Sequence, residues 1–231
     1  MVVALRFIIA LTLLVGCKQL LGFESPAPAD ATPRDSPQDT TVDTSSPDAV
    51  PDAPPGSVTV SFQRGVNNYT RVRDTYLETG SSISNATDNQ LRWKTDNRDG
   101  LIAFDEIFVD GVLAGSTIAS ARLELHIQNS NSAGSLIEVA ISWADTVTDA
   151  SFGVTPGVDA ADLGVTVNPV PMATGVIAID VTASLARWSL DPQSNQGWIV
   201  IADSGGGDTT ARSSDDLTVA NRPRLVVTYF P

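Results

Sequence analysis

The chain has 231 residues, 42% of them hydrophobic, and sets 14 Lys and Arg against 27 Asp and Glu for a formal net charge of −13. That balance excludes a protein that grips nucleic acid by neutralising its phosphates. The single cysteine, Cys17, excludes an intramolecular disulfide and a thiolate metal site.

Residues 1–16 are apolar apart from Arg6 and Thr12. This is the length of a signal-peptide core and falls short of the roughly 20 apolar residues that a permanent membrane helix needs. The run ends in Leu14-Val15-Gly16-Cys17, which resembles the bacterial lipobox, so 1–16 is expected to be a lipoprotein-type leader and Cys17 the lipidation site. Acyl chains bury at ~0.8 kcal/mol per CH₂, and two of them hold a protein on a bilayer stably. Lys18 follows Cys17 where an Asp would favour inner-membrane retention, so the expected location is the outer membrane or cell surface, with the membrane as a partner through the anchor.

Residues 17–56 carry eight of the 14 prolines and seven acids among Ser, Thr and Ala. Such a stretch has too little apolar surface to offset its ordering entropy and reads as a disordered tether. As a flexible coil it would reach on the order of 35 Å.

From 57 to 231 the pattern is β, and about 175 residues suffice for one domain with a sizeable core. Residues 57–62 alternate Val58, Val60 and Phe62 with polar neighbours, and 73–78 and 90–94 are further short β-prone runs. Turn chemistry at 97–100 predicts a hairpin into 101–104. The clearest strand is 118–128, with Ala121, Leu123, Leu125 and Ile127 inward and Arg122, Glu124, His126 and Gln128 outward. Ile137, Val139, Ile141 and Trp143 repeat the alternation, and 144–162 shows no readable pattern. Residues 176–181 read as a strand, and 182–188 as one short helix with Thr182 as N-cap. The strands 198–202 and 224–229 close the chain around the glycine-rich loop 204–208. Many short strands with Gly, Pro and Asn turns predict an all-β antiparallel sandwich, a jelly roll.

Several motifs in this domain resemble the DNRLRE (disaggregatase-associated) jelly-roll family. They are Asp74-Thr75-Tyr76-Leu77, Leu91 with Trp93, Ala103-Phe104-Asp105 and the run from Gly115 to Leu125. Asp180-Val181-Thr182 with Trp188, Asn195-Gln196-Gly197-Trp198 and the run from Asn221 to Tyr229 continue the likeness, which covers nearly all of 58–231. The resemblance implies a β-sandwich that binds glycans, acidic polysaccharides among them, or builds cell surfaces. Ala103 and Glu106-Ile107 depart from the family pattern.

No constellation for catalysis is legible. The sole histidine, His126, sits on an outward strand face without a sequence partner, and adjacent acids such as Asp105/Glu106 and Asp215/Asp216 point to opposite faces if they lie on strands. The loop 204–208 lacks the Lys-Ser/Thr that completes a phosphate-binding loop. Calcium has hard oxygen ligands to choose from in Asp74, Asp105, Asp203, Asp208, Asp215 and Asp216, without a fixed loop motif. Six of the domain's eleven Lys and Arg fall between 64 and 98, where Asn67, Asn68 and Tyr69 also stand. Cations beside an aromatic suit carboxylated sugars. Tyr69, Arg71, Arg73, Arg92, Lys94 and Arg98 are therefore the expected ligand contacts. The expected function is non-catalytic binding of an acidic polysaccharide by a surface-displayed lipoprotein. The alternative is a structural or adhesive module docking to a protein partner.

Overall fold

The computed structural model describes residues 53–231; the leader, Cys17 and the tether up to residue 52 lie outside them. Strict alternation makes β5 (Thr117–Asn129) the spine, with Ala121, Leu123, Leu125 and Ile127 at most 3% exposed. Before it come β1 (Val58–Gln63), β2 (Val72–Glu78), β3 (Gln90–Trp93), β4 (Arg98–Phe104) and the single-turn helix α1 (Ile107–Asp110). After it come β6 (Ser132–Val139), β7 (Leu163–Val170), β8 (Gly175–Asp180), helix α2 (Thr182–Leu190), β9 (Trp198–Gly205), β10 (Thr209–Arg212) and β11 (Arg224–Phe230). All strand pairs are antiparallel, in a six-stranded sheet β1-β11-β5-β10-β3 with β8 also on β5, and a five-stranded sheet β2-β4-β9-β6-β7. The chain changes sheet at almost every step, and the domain is the expected antiparallel β-sandwich.

Along one side of β5, β11 pairs from Thr117 to Glu124 and β10 continues from Ile127 to Asn129. These are two pieces of one line, interrupted by the excursion 213–223. The next line out has the same interruption, because β1 pairs β11 and β3 pairs β10. A polar plug fills the gap. Asp74, 3% exposed, accepts the Ser214 N–H at 2.6 Å, and Ser213 donates its hydroxyl to the Asp88 carbonyl at 2.7 Å. Arg222 donates to the carbonyls of Asp216 and Arg64 at 2.7 and 2.9 Å. Two resemblance-bearing motifs, around Asp74 and around Arg222, thus meet at one structural seam.

The main core lies between the sheets and includes Trp93, Phe104, Trp188 and Trp198. A second apolar cluster forms on the other face of the five-stranded sheet, where residues 140–162 fold over Leu77, Leu101, Val139 and Ile199. Ile137, Val139, Ile141 and Trp143 share that face as expected, yet the strand stops at Val139 and Trp143 belongs to the covering segment.

Three further expectations need correction. The turn after β3 centres on Lys94–Arg98 and carries the chain from one sheet to the other. Among the described residues there are two short helices, and Val181 stands at the N-cap of α2. The Thr182 hydroxyl instead accepts the Ala121 N–H at 2.8 Å, while Asp180 accepts the Thr182 N–H at 2.8 Å. Strands β7 and β10 were not legible. Among the described residues no helix is long and apolar enough to cross a membrane.

Candidate functional site

The six expected ligand contacts do not form one open patch. Tyr69 is 6% exposed, packs edge-on against Phe62 at 5.1 Å between centroids, and donates its hydroxyl to the carbonyls of Asp105 and Arg71 at 2.8 and 3.2 Å. Its ring is core, and burial pushes the phenol well above the ordinary tyrosine range. Arg73 grips Asp105 through two bonds of 2.5 and 2.8 Å, donates to the Trp143 carbonyl and lies 4.3 Å from the Trp143 ring centroid. Arg71 pairs with Glu106 and with Asp110 at 3.1 Å. Arg92 pairs with Asp88 at 3.3 Å, and Arg98 joins Glu78 at 2.5 Å to Asp208 at 2.8 Å. Both of these guanidiniums lie over the Tyr76 ring. Lys94 alone of the five cations makes no ion pair among the described residues. A cation already forked to a carboxylate offers a ligand little without losing that bond.

The acids considered for calcium are similarly spoken for. Asp74 holds Ser214, Asp105 holds Arg73, Asp203 accepts from Ser135, Asp208 holds Arg98, Asp215 pairs Arg64 and Asp216 pairs Arg212. Among the described residues no three acid or imidazole side chains converge as a cation would require. The candidate ligand set does not fit one ion.

The remaining cations tell a different story. Of the five Lys and Arg beyond residue 98, four (Arg122, Arg212, Arg222 and Arg224) stand on or beside the outer face of the six-stranded sheet. The alternation of β5 and β11, with Leu123, Leu125, Leu225 and Val227 in the core, turns Arg122, Glu124, His126 and Arg224 outward. Arg224 lies directly across from Glu124, whose two carboxylate oxygens are taken by Arg122 at 2.7 Å and Arg224 at 2.6 Å. Arg222 makes only the two carbonyl bonds of the seam and no ion pair among the described residues. Beside these four cations stand three acids, Glu124, Asp216 and Asp180, which leaves the face one charge positive on a strongly acidic chain.

A shallow hollow of about 200 Å³ crosses the strands here, from Val176 on β8 over Glu124 and His126 to Arg224, Arg222 and Gln63. It offers guanidinium, amide and imidazole groups beside a patch of aliphatic surface, Val176 being 66% exposed. All four tryptophans and all three tyrosines of the chain are buried, so no tyrosine or tryptophan ring is free to stack on a sugar. Strict alternation in β5, together with the Arg222-Pro223-Arg224 run, was the signal that could have located this face from sequence. No protein-family model matches the chain, and no curated protein matches it.

Proposed function

We propose that the chain is an exported lipoprotein, anchored at Cys17, whose β-sandwich binds an acidic polysaccharide without catalysis in the hollow on the outer face of the six-stranded sheet. The observation that carries the reading is the local excess of arginine there, with Arg222 and Arg224 at one end of the hollow and Arg222 without a carboxylate partner among the described residues. A uronate carboxylate would accept from Arg222 and from the one guanidinium nitrogen of Arg224 that Glu124 does not hold, so that the Arg224–Glu124 pair stays in place. Gln63 and His126 would take ring hydroxyls, and the apolar side of the sugar would rest on Val176. The resemblance to DNRLRE jelly-roll modules supports the same class of ligand.

The test is affinity electrophoresis of the protein through gels containing alginate, pectate or neutral dextran. Retardation by the acidic polymers, weakened by salt and lost in Arg222→Ala/Arg224→Ala, is expected. Migration unchanged in every polymer refutes the reading. Mass spectrometry of the mature N-terminus checks the anchor, an acylated Cys17 being the expected species.

A further inference from the structure

A hollow of about 540 Å³, more than twice the volume of the one on the sheet face, lies along the free edge of β1. Its near side is the strand itself, Thr59 to Phe62, and its far side is the segment Asn67–Arg71 with Asp110. Asn67 and Asn68 form the two-residue tip of the tight hairpin Val66–Tyr69, both with positive φ of 50° and 61°. A primed turn needs that conformation, and asparagine tolerates it well. The wall is therefore a fixed one.

The register of β1 on β11 decides what the edge presents. In an antiparallel pair alternate residues bond to the partner strand, and those between turn their N–H and C=O the other way. The Gln63 carbonyl accepts the Val66 N–H at 3.0 Å, so it points away from β11. Thr59, of the same parity, brings its hydroxyl within 2.9 Å of the hydroxyl of Thr228, directly opposite, the close side-chain approach of a pair without ladder bonds. Thr59 and Ser61 therefore aim two N–H and two C=O groups into the hollow, and both residues are exposed.

The strand's own sequence does nothing to guard this edge. Val-Thr-Val-Ser-Phe-Gln contains no charge and no proline, and its pairing with β11 shows no bulge. Val60, Phe62 and Tyr69 supply an apolar floor and Asn67, Asn68 and Thr70 a polar rim; among the described residues the only charged groups lining it are Arg71 and Asp110, which pair with each other. With 67–71 standing across from β1, the enclosed space of about 540 Å³ suits a short extended peptide better than the edge of a second sandwich.

We propose that the β1 edge receives a short extended peptide from a partner protein by strand addition, four residues over about 13 Å at the usual rise per residue. The incoming strand is uncharged and alternates, with apolar side chains toward Val60 and Phe62 and hydroxyl or amide side chains beside Thr59 and Ser61. This site is separate from the glycan hollow and does not depend on it.

Amide exchange by NMR on the full chain tests the proposal, with the synthetic peptide acetyl-(Thr-Val)₃-amide as probe. In the free protein Thr59 and Ser61 should exchange fast while Val58, Val60 and Phe62 are protected. Peptide should slow Thr59 and Ser61 roughly tenfold, the equivalent of about one net hydrogen bond. A peptide N-methylated at alternate residues should have no effect, nor should the parent peptide protect position 59 in Ser61→Pro, which removes an N–H the ladder does not use. Unchanged exchange with the parent peptide overturns the proposal. Protection that rises with protein concentration alone, with a doubled mass in light scattering, also overturns it and identifies the occupant as a second copy.

Discussion

Replacing Asp74 isolates the seam of the six-stranded sheet from everything around it. Burial pushes its carboxyl from the ordinary aspartate value of 3.8 up to about 7, with the nearby Asp215 and Asp145 adding to the rise and the hydrogen bonds from Ser214 opposing it. The folded state thus holds this proton more tightly than the unfolded chain does. The resulting stabilisation is complete below about pH 4 and is lost as pH rises through about 7. At 1.36 kcal/mol per unit, the interval between 3.8 and about 7 amounts to on the order of 4 kcal/mol. Asp74→Asn keeps an acceptor for the Ser214 N–H and removes the ionisation, so it should flatten the pH dependence between 4 and 8 and exceed the parent in stability at pH 8. Asp74→Ala leaves that buried N–H unpaired and should cost about 1–3 kcal/mol even at pH 5. Urea unfolding at pH 5, 6.5 and 8, followed by the fluorescence of the four buried tryptophans, measures both. Asp99, raised to about 6 by burial and by Asp149, will leave a shallower residual slope in the Asn variant. An Asn variant with the parent's full pH slope would show that Asp74 is not the source.

Other outcomes follow from the same geometry. Arg73→Ala, which strips Asp105 and the Trp143 ring of their shared cation, should destabilise by about 2 kcal/mol, and Arg73→Lys should recover little of it in the same urea titration. Gly197 has φ +77°, and a Cβ there would lie 2.3 Å from the Ile102 carbonyl oxygen, so Gly197→Ala should lower stability by about 3 kcal/mol or prevent folding. A chelator should leave the melting temperature unchanged, since each acid once considered for calcium has a protein partner; a fall of several degrees would reveal an ion. Arg71→Ala and Lys94→Ala should leave retardation by alginate intact, while Arg224→Ala should weaken it roughly tenfold, the loss of one charge-assisted bond; the reverse pattern would move the site to the segment first suspected.

Alternation made β1, β5 and β8 readable because each buries one face, whereas β11, buried from Leu225 to Tyr229, shows as a short run of β-branched and aromatic residues. β7 was hidden by its exposure, with Gly164, Val165 and Thr166 open to solvent on an edge and Pro169 within it. β10 is four residues long and follows a glycine-rich turn, too short for any period to show. The ion pairs within the cation cluster were hidden for a different reason. Arg64 and Arg98 find their acids at Asp215 and Asp208, more than a hundred residues away, and sequence density of one charge says nothing about where the opposite charge returns in space. Trp143 kept the right face and lost its strand because a covering loop can continue an alternation that a ladder no longer supports.

The placement of β1 also governs how the domain would answer a mechanical load. A pull applied at residue 57 in line with β1 acts on six residues matched one to one with β11 from Val58–Tyr229 to Gln63–Arg224. With the sheet face held at Arg224 and Arg122, such a tug makes the first strand slide past its neighbour, and the whole ladder must yield together. Pulled sideways, the same strand would peel open one rung at a time.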